Sequence, residues 1–384
     1  MPDPITARLE PLPPLGELAE IWRALERTAA PSFCQSWHWI GCWLEESGLK
    51  PRLLVARRGG AVVGLGLVQA AAGRRAGLPV RGLYLNQAGD PALDCVTIEF
   101  NGMLAAPDDR AAVDAACIEA LFGRDGSGWG GGFDALYLSG VPADCLARLK
   151  RMGLAARLKI RRGAPLVDLD RVRAAGGTYD AYEAYEAGLS RNTRQQVRRA
   201  RRLYEEAGPL RLTRAASVDE ALAYFDRLKV LHQQTWTGRG RPGAFAEPFF
   251  ERFHRRLIRA AFAEGGVDVL HIAAGGREVG YLYNLVRDGQ AYAYQSGFAY
   301  DADARLKPGL VSHGLAVAHY LAGDARAYHF MAGADRYKLS LSNDRLDLDW
   351  IVIWRGRLIG LADRLWLAYR RLSGRAEGPS PGHD

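Results

Sequence analysis

Cysteine is scarce in this chain, and what there is forms no pattern. Five occur in 384 residues, Cys34, Cys42, Cys95, Cys117 and Cys145. The number is odd, all lie in the first half and no two form a CxxC, which argues against a disulfide framework and a zinc knuckle; buried thiols are expected. Histidine is equally dispersed: His313 and His319 are six apart, which does not stack them on one helix face, so no metal site is expected. No uncharged apolar run is long enough to span a bilayer, and Met1-Pro-Asp-Pro-Ile-Thr6 lacks the basic segment and apolar core of a secretory signal. A cytoplasmic protein is the expectation. A hydrolase-type nucleophile is also missing. The single Gly-x-Ser-x-Gly, Gly378-Pro-Ser-Pro-Gly382, sits in a Pro/Gly-rich tail with no strand before it and no helix after it.

Acidic residues are absent from one stretch above all: six arginines fall between Arg191 and Arg202 without an Asp or Glu among them. Over the whole chain Lys+Arg 51 against Asp+Glu 43 gives a net charge of +8, which favours anionic ligands such as a nucleotide cofactor, a phosphorylated sugar, a tRNA or a lipid surface. Around the arginines the spacing predicts a helix over 191–207. Thr193 and Gln196 stand as in a capping box, Val197, Ala200, Tyr204 and Ala207 recur at three and four residues, and Gly208-Pro209 ends the pattern. Two readings of its arginines stand: a solvated face balanced by acids elsewhere in the fold, or a phosphate-facing arm.

The composition, 48% hydrophobic and 24% charged, is that of a globular protein, and the length suits two domains. An internal repeat supports the count. Arg57-Arg-Gly-Gly-Ala-Val-Val-Gly64 aligns with Ala273-Ala-Gly-Gly-Arg-Glu-Val-Gly280, Tyr84-Leu-Asn-Gln-Ala-Gly89 with Tyr292-Ala-Tyr-Gln-Ser-Gly297, and Leu136-Tyr-Leu-Ser-Gly140 with His329-Phe-Met-Ala-Gly333. Helical patterns at 110–122 and 309–321 separate the second match from the third. Each half therefore reads strand, turn, strand, strand, helix, strand, and the expected fold class is α/β with a mixed sheet, in two copies of one unit. The expected domains are 1–165 and 166–372, followed by a disordered tail at 373–384. The segment 358–372 reads as an amphipathic helix.

The halves differ in their chemistry. Only the second places a basic loop, Arg305-Leu-Lys-Pro-Gly309, before its helix. Free N–H groups and the positive dipole end at such a helix start, the charges of Arg305 and Lys307, and the close approach allowed by Gly309 together suggest a pyrophosphate cradle; the plain alternative is an ordinary Pro-Gly helix start. The second half also ends its last matched strand at Gly333 and delivers Asp335, Tyr337 and Lys338 just beyond, where α/β sheets tend to place chemistry. At the same point the first half has Gly140-Val-Pro-Ala-Asp144.

Several segments, taken in order, carry a family resemblance. They are Phe33-Cys-Gln-Ser-Trp-His-Trp-Ile-Gly-Cys-Trp43, Leu189-Ser-Arg-Asn-Thr-Arg-Gln-Gln-Val-Arg-Arg199, Leu231-His-Gln-Gln-Thr-Trp236 with Arg239-Gly240, Lys307-Pro-Gly309, and Gly333-Ala-Asp-Arg-Tyr-Lys338. Together they resemble the bacterial GNAT-fold acyltransferases of the CelD-like type, associated by name with cellulose synthesis, and more distantly the Fem-type aminoacyl transferases. The resemblance spans nearly all of the chain except its tail. It implies two GNAT-like domains in tandem, the first degenerate and on the acceptor side, the second catalytic and on the donor side. The donor would be an acyl-CoA (acetyl-CoA or longer) or an aminoacyl-tRNA, and the acceptor a small amine, anionic or neutral, in the cleft between domains. The acceptor amine attacks the donor carbonyl directly in such a reaction, so positioning and oxyanion stabilisation replace an enzyme nucleophile.

On this resemblance Lys338 matches the lysine near the end of the Fem-type domain and is the first candidate to neutralise the oxyanion or a donor phosphate. Asp335, given a raised pKa, or His313 would take the amine proton. Arg305, Lys307, Gly309, Arg198 and Arg199 are the candidates for the donor phosphates, and His232, Trp236, Gln295 and Tyr337 for the acceptor. Packing alone is the competing role for His313, His232 and Trp236, and edge bonding for Gln295. The loop at 305–309 departs from the family form, Arg/Gln-x-x-Gly-x-Gly/Ala, by one extra residue and Pro308. CoA ranks above tRNA because no RNA-recognition module is present. An enzyme ranks above a non-catalytic scaffold in a polysaccharide or lipid pathway because only the second half keeps Lys338 and the basic loop.

Overall fold

A computed structural model describes residues 3–356 except 76, 124–131, 177–180 and 334, together with 360, 361, 363, 365 and 369. The expected tail at 373–384 and most of the helix expected over 358–372 lie outside the described residues. Two compact units are present: Met1–Arg161 with Asp347–His383, and Arg162–Leu346.

The chain begins with β1 (Ile5–Glu10), α1 (Leu15–Ala29), α2 (Trp37–Ser47), β2 (Arg52–Arg58), β3 (Ala61–Arg75) and β4 (Leu78–Leu85). It continues through β5 (Leu104–Ala105), α3 (Arg110–Phe122), β6 (Ala135–Pro142), α4 (Asp144–Arg151) and β7 (Ala156–Asp168). Then come α5 (Leu169–Gly176), α6 (Ala181–Gly188), α7 (Arg191–Glu205), β8 (Leu210–Arg214), α8 (Val218–Gly238) and α9 (Pro248–Ala261). The remaining elements are β9 (Val267–Ala274), β10 (Arg277–Arg287), β11 (Gln290–Phe298), α10 (Pro308–Ala322), β12 (Ala327–His329), α11 (Arg336–Leu341) and β13 (Asp344–Trp354).

The strand order is β1-β2-β3-β4-β6-β13 in the first unit and β8-β9-β10-β11-β12-β7 in the second. Neighbours are antiparallel except for one parallel pair in each, β4 with β6 and β11 with β12. A parallel neighbour needs a crossover, and α3 and α10 supply it. The predicted repeat is thus present as one α/β topology used twice. Its third match needs a shift of one residue: Tyr84 pairs with and stacks on Tyr137 at 4.7 Å, as Tyr292 does on His329 at 4.7 Å. Leu136 therefore corresponds to Tyr328, not to His329.

The domain division differs from the expected 1–165 and 166–372 at the C-terminus. From residue 347 onward β13 pairs with β6, Leu348 opposite Pro142 and Trp354 opposite Ala135, and so completes the first sheet. The end of β7 completes the second, with Leu166 opposite His329. Pairing between strands so distant in sequence leaves no local signal.

The Ser190 side chain caps α7 by accepting from the Thr193 N–H at 3.2 Å, so the helix starts before the expected Thr193–Gln196 box and Thr193 is buried. Val197, Ala200 and Tyr204 enter the core as predicted, whereas Ala207 lies past the helix end and is exposed. All five cysteines are free; Cys34, Cys42, Cys117 and Cys145 are buried and Cys95 is half-buried. Burial pushes the Cys34 and Cys145 thiols up to about 12, which makes them inert at neutral pH. Among the described residues no helix is long and apolar enough to cross a membrane.

At the other end of the site-bearing helix, Arg173 of α5 donates to the carbonyls of Tyr320, Leu321, Gly323 and Ala325 at 2.7–3.3 Å. Those of Tyr320, Leu321 and Gly323 are carbonyls that α10 leaves without intrahelical partners, at the negative end of its dipole, and Ala325 follows the helix end. Arg173→Ala is expected to destabilise the protein by about 2 kcal/mol. A lowered urea midpoint at unchanged m-value checks it, and an unmoved midpoint would mean that water serves those carbonyls equally well.

Candidate active site

The end of β12 is where the second unit departs from regular geometry. Past His329 the chain continues beside β7, with Phe330 N–H donating to Pro165 O at 2.9 Å and Gly333 N–H to Gly163 O at 3.0 Å. Met331 and Gly333 take φ of 60° and 148°. Asp335 then serves as N-cap of α11, whose first turn carries Lys338 back over the strand end. The Lys338 ammonium donates to Ala332 O at 3.3 Å and lies 3.7 Å from the Asp335 carboxylate.

A Cβ on Gly333 would stand 2.9 Å from Lys338 Nζ. Position 333 thus needs glycine for its φ and for the approach of the lysine. Gly333→Ala is expected to displace Lys338, to cost about 1–3 kcal/mol of stability, and to lower turnover with it. A thermal midpoint and a turnover both equal to wild type would remove this role.

On α10, His313 is 2% exposed, with its ring stacked on Tyr337 at 5.6 Å and set edge-on to Phe298, Tyr328 and Phe330. Burial first, and the Lys338 charge second, hold the imidazole neutral with its pKa lowered to about 3. A chain of buried hydrogen bonds fixes its tautomer. Tyr320 donates to Asp268 at 2.8 Å, and Asp268 is paired with Arg214. The Asn284 amide donates to the Tyr320 hydroxyl at 3.1 Å and also to Tyr328. The Tyr328 proton is then directed at His313 Nδ1, 2.8 Å away. The neutral ring therefore carries its own proton on Nε2, which is buried and has no hydrogen-bond partner among the described residues. In this arrangement the nitrogen able to accept a proton is engaged, and the ring offers an N–H donor. Asn284 and Asp268 were not singled out from sequence; the available signal was a polar residue inside each of the apolar runs Gly280-Tyr-Leu-Tyr-Asn-Leu-Val286 and Val267-Asp-Val-Leu270.

The basic loop is partly neutralised from within. Arg305 bonds the Asp303 carboxylate, which this contact holds down at about 2, with a smaller contribution from Arg199. Pro308 has no N–H and Val311 N–H closes on Lys307 O at 3.1 Å, so the open donors of the α10 N-terminus are Gly309 and Leu310. Lys307 stands half-buried at the N-cap. A Cβ on Gly309 would lie 3.3 Å from the Phe298 ring, so the glycine also lets the helix start close to β11. Of the two predicted α7 arginines, Arg199 shares the field of this loop, whereas Arg198 is tied to the buried carboxylate of Glu186 at 2.8 Å.

The predicted acceptor residues divide between the sheet faces. Tyr281 and Tyr283 point towards α8, while Leu282 and Asn284 point towards α10. Tyr337 lies with His313 on the α10 side. On the α8 side His232 is a latch: Nε2 accepts from Ala244 N–H at 3.2 Å, so Nδ1 carries the proton given to Ser296 O at 3.1 Å. Burial holds it neutral, with its pKa lowered to about 4. Its ring contacts Trp236, over which Arg239 and Arg241 lie at 5.8 and 5.7 Å, and Arg239 also lies over the exposed Tyr300 at 5.9 Å. The Gln295 side chain turns back onto Ser296 N–H at 3.0 Å.

The second unit thus carries one copy of the repeated α/β topology, with a crossover helix that opens behind a cationic loop and a lysine held over a strained strand end. Residues 191–339, which hold α7, the basic loop, α10, Tyr337 and Lys338, match the family described as acetyltransferase (GNAT) domain. No curated protein matches the sequence. Among solved structures, FemX is similar over 90% of this chain and 98% of its own at 11% identity, with a TM-score of 0.57. The C-terminal domain of a putative lysylphosphatidylglycerol synthetase from Agrobacterium fabrum is similar over 95% and 100% at 12% identity, TM-score 0.53. L-PGS from Bacillus licheniformis is similar over 93% and 97% at 13% identity, TM-score 0.52. At these identities the likeness is one of fold, and it extends over both units.

Proposed function

We propose that the protein is an N-acyltransferase that moves an acyl group from acyl-CoA, acetyl-CoA or a longer thioester, to an amine. The observation that carries this reading is the Lys338 ammonium held over the end of β12, on the same α11 turn as Tyr337, whose ring stacks on His313. The amine nitrogen attacks the thioester carbonyl and forms the C–N bond; the resulting oxyanion is held by Lys338, with His313 packed behind Tyr337. Collapse breaks the C–S bond and releases the CoA thiolate. The amine proton passes to water or to Asp335, whose carboxylate is 46% exposed beside Lys338, and the thiolate is protonated from solvent. Arg199, Lys307 and the N–H groups of Gly309 and Leu310 would meet the CoA phosphates.

Thermal unfolding with saturating CoA and acetyl-CoA tests the donor. At about a hundred times its dissociation constant a ligand adds about 2.7 kcal/mol. Arg199→Glu is expected to reduce that shift. Arg198→Glu is expected to lower the midpoint without any ligand, because it sets an acid against buried Glu186. A second reading, an aminoacyl-tRNA donor, is favoured by exposed Arg191, Arg199 and Arg202 and by the fold shared with lysylphosphatidylglycerol synthetases. Steeply salt-dependent tRNA binding with no response to any acyl-CoA would replace the first reading with this one. No response to either would leave a scaffold without a donor.

A further inference from the structure

The first unit has no counterpart of Lys338, yet it is hollow where the second is filled. A cavity of about 310 Å3 lies between α3, α4 and the sheet, with Leu54, Leu85, Ile118, Leu136, Leu138 and Leu149 in its wall. The repeat accounts for it. With 110–122 set against 309–321 and the strand match shifted as above, Asp114, Leu121, Leu136 and Leu138 occupy the places of His313, Tyr320, Tyr328 and Phe330. All four line the cavity, and their counterparts are all buried in the second unit. One scaffold therefore packs four rings in one copy and leaves a void in the other.

Among the described residues the lining contains no aromatic side chain, which suits an aliphatic ligand better than a planar one. It is also polar in one region. Arg148 bonds Asp114 at 2.9 Å and pairs with Asp144, while Arg110 has a buried Nε with no hydrogen-bond partner among the described residues. A buried guanidinium N–H without an acceptor is costly, and an oxygen-bearing ligand would satisfy it. An apolar cavity of about 150 Å3 holds benzene, so this one has room for about a dozen carbon atoms.

We propose that the first unit binds a linear acyl chain in this cavity, with the carbonyl or carboxylate oxygen of the chain at Arg110. The site stands independently of the donor assigned to the second unit. One repeat would then hold the apolar chain of a substrate while the other performs the transfer.

Isothermal titration of the full chain with hexanoate, octanoate, decanoate and dodecanoate tests the proposal. Each methylene is expected to tighten binding about fourfold, from about 0.8 kcal/mol per buried CH2, until the cavity is full. Ile118→Trp, which fills the cavity, is expected to weaken dodecanoate at least tenfold, and Arg110→Gln to remove the preference for dodecanoate over dodecyltrimethylammonium. Should Ile118→Trp fail to fold, Leu121→Phe, which puts one ring back at the place of Tyr320, is expected to weaken dodecanoate more than hexanoate. Displacement of dodecanoate by dodecanoyl-CoA would assign the chain to a thioester, and the absence of displacement would assign it to a free acid or an acceptor lipid. Binding that does not tighten with chain length, or dodecanoate affinity unchanged in the filled variants, would overturn the proposal.

Discussion

Lys338→Ala is expected to lower turnover by about 10²–10³-fold, the loss that follows removal of one oxyanion donor, with little change in stability. The small structural effect follows from the partner: Asp335 is 46% exposed, and a surface ion pair is worth about 0–1 kcal/mol. Lys338→Arg is not expected to rescue, because the ammonium reaches its place through the gap that Gly333 leaves and a guanidinium is larger. The kinetic pattern separates two roles. A fall in kcat at constant KM for the acyl-CoA marks an oxyanion partner, and a rise in KM at constant kcat marks a phosphate anchor. Turnover equal to wild type would withdraw the assignment of Lys338 altogether. The assay is thiol release from the donor with a panel of amines, the donor first being fixed by the thermal shift.

Acidification should act on the second unit with comparable force. His232, His313 and His329 are each at most 5% exposed, and burial lowers them to about 4, 3 and 4. In the unfolded chain they protonate near 6.5. Between these values the unfolded state binds more protons than the folded one, so stability falls as pH drops from about 6.5 to about 4. Above 6.5 both states are neutral and these groups contribute no slope. At about 1.4 kcal/mol per pKa unit each imidazole contributes a few kcal/mol, and three together are comparable with the whole stability of a typical domain, about 5–15 kcal/mol. Urea midpoints at pH 7.5, 5.5 and 4.5 measure the effect. His329→Gln is expected to flatten the profile by one proton, which separates the histidine contribution from that of the carboxylates. A midpoint that does not move through this range would contradict the burial of three neutral imidazoles.

The sequence by itself determined whatever depends on residues a few positions apart. The buried stripe of α7, the crossover helices at 110–122 and 309–321, the Gly-Gly turns that open each repeat and the exposed cationic face are all set by local periodicity and by backbone conformation. The two-copy architecture was legible for the same reason, since each copy repeats the same local pattern. Tertiary structure decided what depends on distant pairing or on side-chain direction. The strand that closes each sheet comes from far along the chain, and the one-residue shift of the third repeat match is visible only in the pairing of Tyr84 with Tyr137 and Tyr292 with His329. Arg198 and Arg199 are adjacent in sequence, yet one helical step of about 100° separates a partner of Glu186 from a neighbour of the loop at 303–305. The proton on His313 is set by Tyr328, which is itself held by Asn284 from another strand. The cavity of the first unit is a matter of which side chains face one another across α3, α4 and the sheet. Local pattern says which face a residue takes; only the assembled sheet says what meets it there.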